Sequence, residues 1–275
     1  MEMPEKARAM AARTLSGEAK EGFFIPYRHA GAVASPGPYP ALERLFAAAE
    51  GAFREVLALI EAEAGALLAL DGPPPRPRWG QVWFPRADGA AAYAMLAARR
   101  PKRVVEVGSG HSTRFMAEAA RANRLETRIL CIDPAPRAAL RGLPVEWRAE
   151  LLSEAHEPLF AALEPGDVAF FDSSHLLVPG SDVDMMLNRI IPALRPGVIV
   201  HVHDILLPDP YPPEWAWRGY AEQNGLAPWL LSGGLRPLFS SRYAVTRMRA
   251  AEAGALSRLP LGEGAVETSL WAEKS

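Results

Sequence analysis

From Arg86 to Asp204 the chain alternates apolar runs with segments of helical period, and that order constrains the fold more than anything else in it. "RVVEVG", "TRILCID", "DVAFFD" and "GVIVHVHDI" read as strands, with "PVEWRAE" as a poorer one. Between and around them "ADGAAAYAMLAARRP", "STRFMAEAARAN", "PRAALRGL", "HEPLFAALEPG" and "SDVDMMLNRIIPAL" read as helices. The strands are continuously apolar instead of alternating, as expected where helices cover both faces of a parallel sheet. Two late strand candidates, "LFSSRYAVT" and "VETSLWAEK", follow an aromatic- and proline-rich excursion that begins after Asp204.

The first third of the chain is different. Residues 41–70 are rich in Ala and Leu at helical spacing and predict a long helix broken near Gly51 or Gly65. "SPGPYP" leads into it, and "DGPPPRPRWG" stops it. Residues 1–78 are therefore expected to form a helical N-terminal extension, suited to packing, to a homodimer contact through its helices or to a lid. Residues 79–275 form the α/β domain.

Composition removes several classes of function. A net charge of -2 gives no reason to expect a nucleic-acid partner, which calls for a strongly basic face. No apolar stretch approaches the ~20 residues that span a bilayer, and the charged opening residues lack a signal peptide's apolar core. A cytoplasmic location with no membrane partner is expected. The single Cys131, in the strand "RILCID", excludes an internal disulfide and reads as a small buried hydrophobe.

In "VVEVGSGHS", Glu106, Gly108 and Gly110 fall at the carboxyl end of the first core strand, where open α/β sheets bind ligands. A dinucleotide fingerprint needs a third glycine, and position 113 is Thr. A lone Gly-x-Gly is equally compatible with a plain strand-to-helix turn. Asp133 closes the second strand, a little over twenty residues on, where a carboxylate accepts hydrogen bonds from a ribose; capping the segment at Pro134 is its other reading.

This combination resembles the class I S-adenosylmethionine-dependent methyltransferases, over about residues 80–275. The resemblance implies a Rossmann-like, doubly wound, mostly parallel seven-stranded sheet with an antiparallel last strand. By it, Glu106 lies near the cofactor's cationic end, Gly108, Ser109, Gly110 and Ser112 frame its aminoacyl part, and Asp133 holds the ribose. The loop after the third strand, with Glu150 and Leu151, is expected at the adenine.

Two clusters at strand ends carry candidate chemistry. Asp172 and His175 lie in "FFDSSH", and His201, His203 and Asp204 lie in "HVHD". An Asp-x-x-His after the fourth strand is similar to the magnesium-dependent sugar O-methyltransferases. That likeness implies His175 as general base and Asp172 with Asp204 as ligands of Mg2+ or another divalent metal. Ile205 stands where those relatives carry a further oxygen ligand; His203 is the available substitute and favours a transition metal. Asp172 would also reach the cofactor. His201 reads as a structural histidine. The expected activity is methyl transfer to a small-molecule acceptor, at a hydroxyl. A hydroxylase on the same fold and a non-catalytic scaffold are the alternatives, and Thr113 makes an NAD-dependent oxidoreductase a poorer fit.

Overall fold

The computed structural model describes residues 3–275. Helix α1 (Glu5–Ser16) is followed by an extended stretch, then by α2 (Pro40–Ala48), α3 (Glu50–Ala62) and α4 (Ala64–Leu68). The single long helix expected over residues 41–70 is thus three, and the breaks fall at Ala49 and Glu63, two residues ahead of each glycine. Their apolar faces are covered by the chain itself. Phe46 and Phe53 meet Tyr243 edge-on, each at 5.7 Å, and Phe53 also meets Phe239 at 6.1 Å. Such pairs add to the free energy of burying large aromatic surfaces.

Helix α5 (Arg86–Arg99) is buried along nearly its whole length, which its run of alanines permits. It leads into β1 (Arg103–Val107), α6 (His111–Ala122), β2 (Arg128–Ile132) and the short β3 (Glu146–Arg148). Helix α7 (Glu157–Ala161) precedes β4 (Val168–Phe171). Next come α8 (Asp182–Met185), a π turn over Met186–Ile190 and α9 (Ile191–Ala193), which form one helical segment before β5 (Ile199–Val202). Helix α10 (Glu222–Leu231), β6 (Leu235–Ser240), α11 (Ser241–Thr246), α12 (Gly254–Arg258) and β7 (Leu270–Lys274) complete the chain.

The sheet order is β3-β2-β1-β4-β5-β7-β6, with β7 antiparallel to both of its neighbours and the other pairings parallel. This is the Rossmann-like arrangement expected. The order reverses between β1 and β4, which opens a crevice above their carboxyl ends. At the opposite edge Asp167 accepts hydrogen bonds from the Lys102, Arg103 and Glu164 amides and so fixes where β1 and β4 begin.

Two expected elements differ. "PRAALRGL" is not helical: Pro134 and Pro136 lack amide donors, and the Ala139 carbonyl instead accepts from the Arg114 guanidinium. The second half of "LFSSRYAVT" is helix α11, because the Ser240 hydroxyl accepts from the Tyr243 amide as an N-cap and ends β6 there. No helix of the described residues is long and apolar enough to cross a membrane.

Candidate active site

A cavity of about 780 Å³ lies over the carboxyl ends of β1, β2, β4 and β5. Its floor is the turn after β1. Gly108 has φ +76°, and a Cβ there would stand 1.8 Å from the Asp172 carbonyl oxygen, so only glycine lets these two strand ends abut. Gly110 packs against Ala138 of the loop after β2, and its amide donates to the Thr113 hydroxyl at 2.9 Å.

Glu106 lies beneath this turn, fully buried. Its carboxylate accepts from the Ser112 and Thr113 hydroxyls, each at 2.6 Å, and from the Cys131 thiol at 3.3 Å. Burial raises its pKa to about 7 despite those donors. Glu106 is not among the residues lining the cavity; it braces the turn from below, and the Ser112 hydroxyl is committed to it. Thr113, where a dinucleotide site has its third glycine, therefore bridges Glu106 to the Gly110 amide.

Asp133 lies at the other side of the floor, half-buried and lining the cavity. Its two oxygens accept from the Ser109 and Ala135 amides at 2.6 and 2.7 Å, which orients the carboxylate and leaves lone pairs for a ligand. Leu151 and Leu152 form an apolar wall beyond it, whereas Glu150 pairs with His156 at 3.1 Å and does not line the cavity. His111 stacks on Trp83 at 5.5 Å. Burial, with Arg114, Arg78 and Arg137 nearby, lowers its pKa to about 4 and keeps it neutral.

The remaining candidates converge at the ends of β4 and β5. His175 Nε2 is 3.4 Å from Asp172 Oδ1 and 3.4 Å from Asp204 Oδ2, and His203 Nδ1 is 3.4 Å from the same Asp172 oxygen. His175 and Asp204 both adopt left-handed backbone, at φ +61° and +53°, a conformation that costs free energy in residues with a Cβ and concentrates at functional sites. Loss of water opposes charge on both imidazoles, but carboxylates outweigh it. Glu222, Asp172 and Asp204 raise His175, while Asp172, Asp88 and Asp204 raise His203. Desolvation likewise opposes ionisation of Asp172, yet the two histidines hold its carboxyl well below the usual range.

Two residues of this network were not singled out in the sequence. Glu222, fully buried at the start of α10, holds His175 Nδ1 at 2.7 Å. Asp88, fully buried in the first turn of α5, is 3.4 Å from His203 Nε2 and accepts from the Thr268 and Ser269 amides and the Ser241 hydroxyl. Both sit in helical segments whose sequence carries no chemical signature, and only the tertiary fold brings them here. His201 lies apart in the core, stacked on Phe170 at 3.7 Å and bonded to the Ser269 hydroxyl, with a pKa lowered well below the usual value by burial.

The excursion after β5 closes one side of the cavity. Its short helical segment Pro213–Arg218 presents Trp215, Trp217 and Arg218, and Tyr220 follows, with its ring 4.6 Å from that of His175. Trp83 lines the opposite side, whereas Trp79 is buried against Phe115. Among the described residues, no group of three or more His, Cys, Asp or Glu is arranged to hold a metal ion.

Residues 105–205 match the family model of a methyltransferase domain, a span that runs from β1 through the end of β5. No curated protein matches the chain. Among solved structures, the cofactor-bound Rv0187 from MTB is 17% identical, with a TM-score of 0.45 and coverage of 80% of this chain and 89% of that one. An O-methyltransferase from Bacillus cereus in complex with SAH is 14% identical, with a TM-score of 0.43 and coverage of 82% and 91%. The SAH-bound methyltransferase PaMTH1 of Podospora anserina is 16% identical, with a TM-score of 0.42 and coverage of 92% and 99%. The matched methyltransferase domain thus takes in the strands that carry the glycine turn, Asp133 and the acid–histidine cluster.

Proposed function

We propose that the chain methylates a hydroxyl of a small-molecule acceptor, with His175 as the general base. Glu222 fixes Nδ1 of His175 at 2.7 Å and leaves Nε2 turned toward Asp172 and Asp204, in the same cavity that Gly108 and Asp133 floor. This one observation carries the reading: a buried acid orients the imidazole, and its other nitrogen, facing Asp172 and Asp204 in the cavity, takes the proton when the ring is neutral. In the cavity, Asp133 would bind the ribose, the turn at Gly108–Gly110 the aminoacyl part, and Leu151 and Leu152 the adenine.

With S-adenosylmethionine held there, it would supply an electrophilic methyl, its sulfur leaving with the S–CH3 electron pair as the O–CH3 bond forms, and His175 Nε2 would take the acceptor's hydroxyl proton. The resulting imidazolium is stabilised by the surrounding carboxylates, which favours the transfer. Catalysis otherwise rests on positioning, which in such displacements supplies much of the rate.

The donor set at this point suits magnesium poorly. Two of the four converging groups are imidazoles, each paired with the carboxylates that would have to ligate the ion, and Ile205 offers no donor. Titration of the protein with S-adenosylmethionine in a calorimeter tests the cofactor assignment: micromolar binding is expected, weakened about 30-fold in Asp133→Ala, roughly 2 kcal/mol. Wild-type binding left intact by that change would remove Asp133 from the site. Addition of EDTA is expected to leave both binding and turnover within about twofold; a larger loss would restore Asp172 and Asp204 as metal ligands.

A further inference from the structure

The acceptor end of the cavity holds a cation that the proposed chemistry does not use. Arg218 ends the segment Pro213–Arg218, and its guanidinium lies 4.1 Å from the Trp215 ring centroid, 5.4 Å from Tyr220 and 5.7 Å from Trp217. The side chain is half-buried and lines the cavity beside His175. Its Nε is buried without a hydrogen-bond partner, and among the described residues no carboxylate is ion-paired with it. Arg78 shares an orphaned Nε, whereas other half-buried arginines have found acids. Arg86 pairs with Glu267, and Arg247 with Asp209 and Glu43. Asp209, the acid within the same excursion, is thereby taken, and Arg242 shares it.

Aromatic rings satisfy the faces of a guanidinium but not its edge. The N–H fork still requires acceptors, and an oxyanion matches it in two parallel hydrogen bonds. Stacking on Trp215 also removes much of the side chain's freedom, so the cost of ordering it on ligand binding is small. Tyr220 touches both Arg218 and His175, so whatever reaches the guanidinium lies one ring away from the base.

We propose that Arg218 anchors an oxyanion, a carboxylate or a phosphate, carried by the acceptor, so that the substrate is an anionic hydroxy compound. This rests on the acceptor reading above. The aromatic rings and the arginine bind the acceptor, and His175 acts on its hydroxyl.

The test uses the full-length protein saturated with S-adenosylhomocysteine, in a calorimeter. 4-Hydroxybenzoate and phenyl phosphate are compared with their neutral counterparts, 4-hydroxybenzamide and phenol, in wild type, Arg218→Met and Arg218→Lys, with melting temperatures confirming that each variant folds. Both anions, or one of them, are expected to bind at least tenfold more tightly than their neutral counterparts. Arg218→Met abolishes that preference, Arg218→Lys keeps part of it, and S-adenosylmethionine affinity stays within twofold throughout. Preference for the phosphate alone or the carboxylate alone identifies which oxyanion is meant. Equal or undetectable binding of charged and neutral probes overturns the proposal, as does a preference that survives in Arg218→Met. A tenfold loss of S-adenosylmethionine affinity in Arg218→Met would also overturn it, by assigning the arginine to the cofactor. Failure of wild type to bind S-adenosylhomocysteine at all would instead overturn the function proposed above.

Discussion

The two ends of the cavity are built in opposite ways. At the glycine turn the bonds are short in sequence: Ser112 and Thr113 reach Glu106 across six and seven residues, and the Gly110 amide reaches Thr113 across three. At the acid–histidine cluster they are long. Asp88 meets His203 across 115 residues, Glu222 meets His175 across 47, and Thr268 reaches Asp204 across 64. The glycine turn is thus a local motif that one strand and one helix largely complete, while the acid–histidine cluster is assembled only when α5, β4, β5, α10 and the segment before β7 have come together.

The largest effect expected is from Gly108→Ala. The added carbon would stand 1.8 Å from the Asp172 carbonyl oxygen, at a positive φ that alanine resists, so both ends are disrupted together. S-adenosylmethionine affinity should fall by more than about 100-fold with a marked drop in melting temperature; retention of both would show that the strand ends can separate. Glu222→Gln should separate the two ends instead. His175 works as a base only when unprotonated, and Glu222 is a principal cause of its raised pKa, so kcat/KM rises with pH through that raised value. Removing the charge lowers it and should move the rising limb to lower pH, with about a tenfold lower plateau from lost orientation and unchanged cofactor affinity. An unshifted limb would remove His175 from the proton transfer.

A smaller effect concerns stability alone. Glu106 titrates at about 7 in the folded protein against 4.5 as its ordinary value, so the folded chain keeps a proton that the unfolded chain has lost. Folding stability should therefore decline as pH rises across that interval, by about 3 kcal/mol in all. Glu106→Gln should flatten this decline, measured as denaturation midpoints across the same range. The raised histidines act in the same direction at higher pH: their stabilisation is complete below about 6.5 and is lost as pH rises through their folded values.

This contrast also decides what was legible in the sequence. The succession of strands and helices and the positions of Gly108, Gly110 and Asp133 at strand ends are readable because an apolar run ending in a turn fixes its own geometry. Asp172, His175, His203 and Asp204 were readable as strand-end residues of one sheet edge. Glu106 was placed toward the cofactor, but the pleat of β1 aims it at α6, where Ser112 and Thr113 satisfy it. Asp88 and Glu222 were invisible, because an acid in the first turn of a helix ordinarily serves the helix, and only packing turns these two inward. The helix predicted over "PRAALRGL" failed for a similar reason: tertiary demand for the Ala139 carbonyl and two prolines outweighed the local alanines.

The bare Cα of Gly108 against the carbonyl of Asp172 has a consequence for motion. Two strand ends in backbone contact cannot shear past one another, so the turn after β1 and Asp172 at the end of β4 move as one piece. The excursion after β5, with its prolines and its stacked Trp215, Arg218 and Tyr220, forms the rim above that fixed floor.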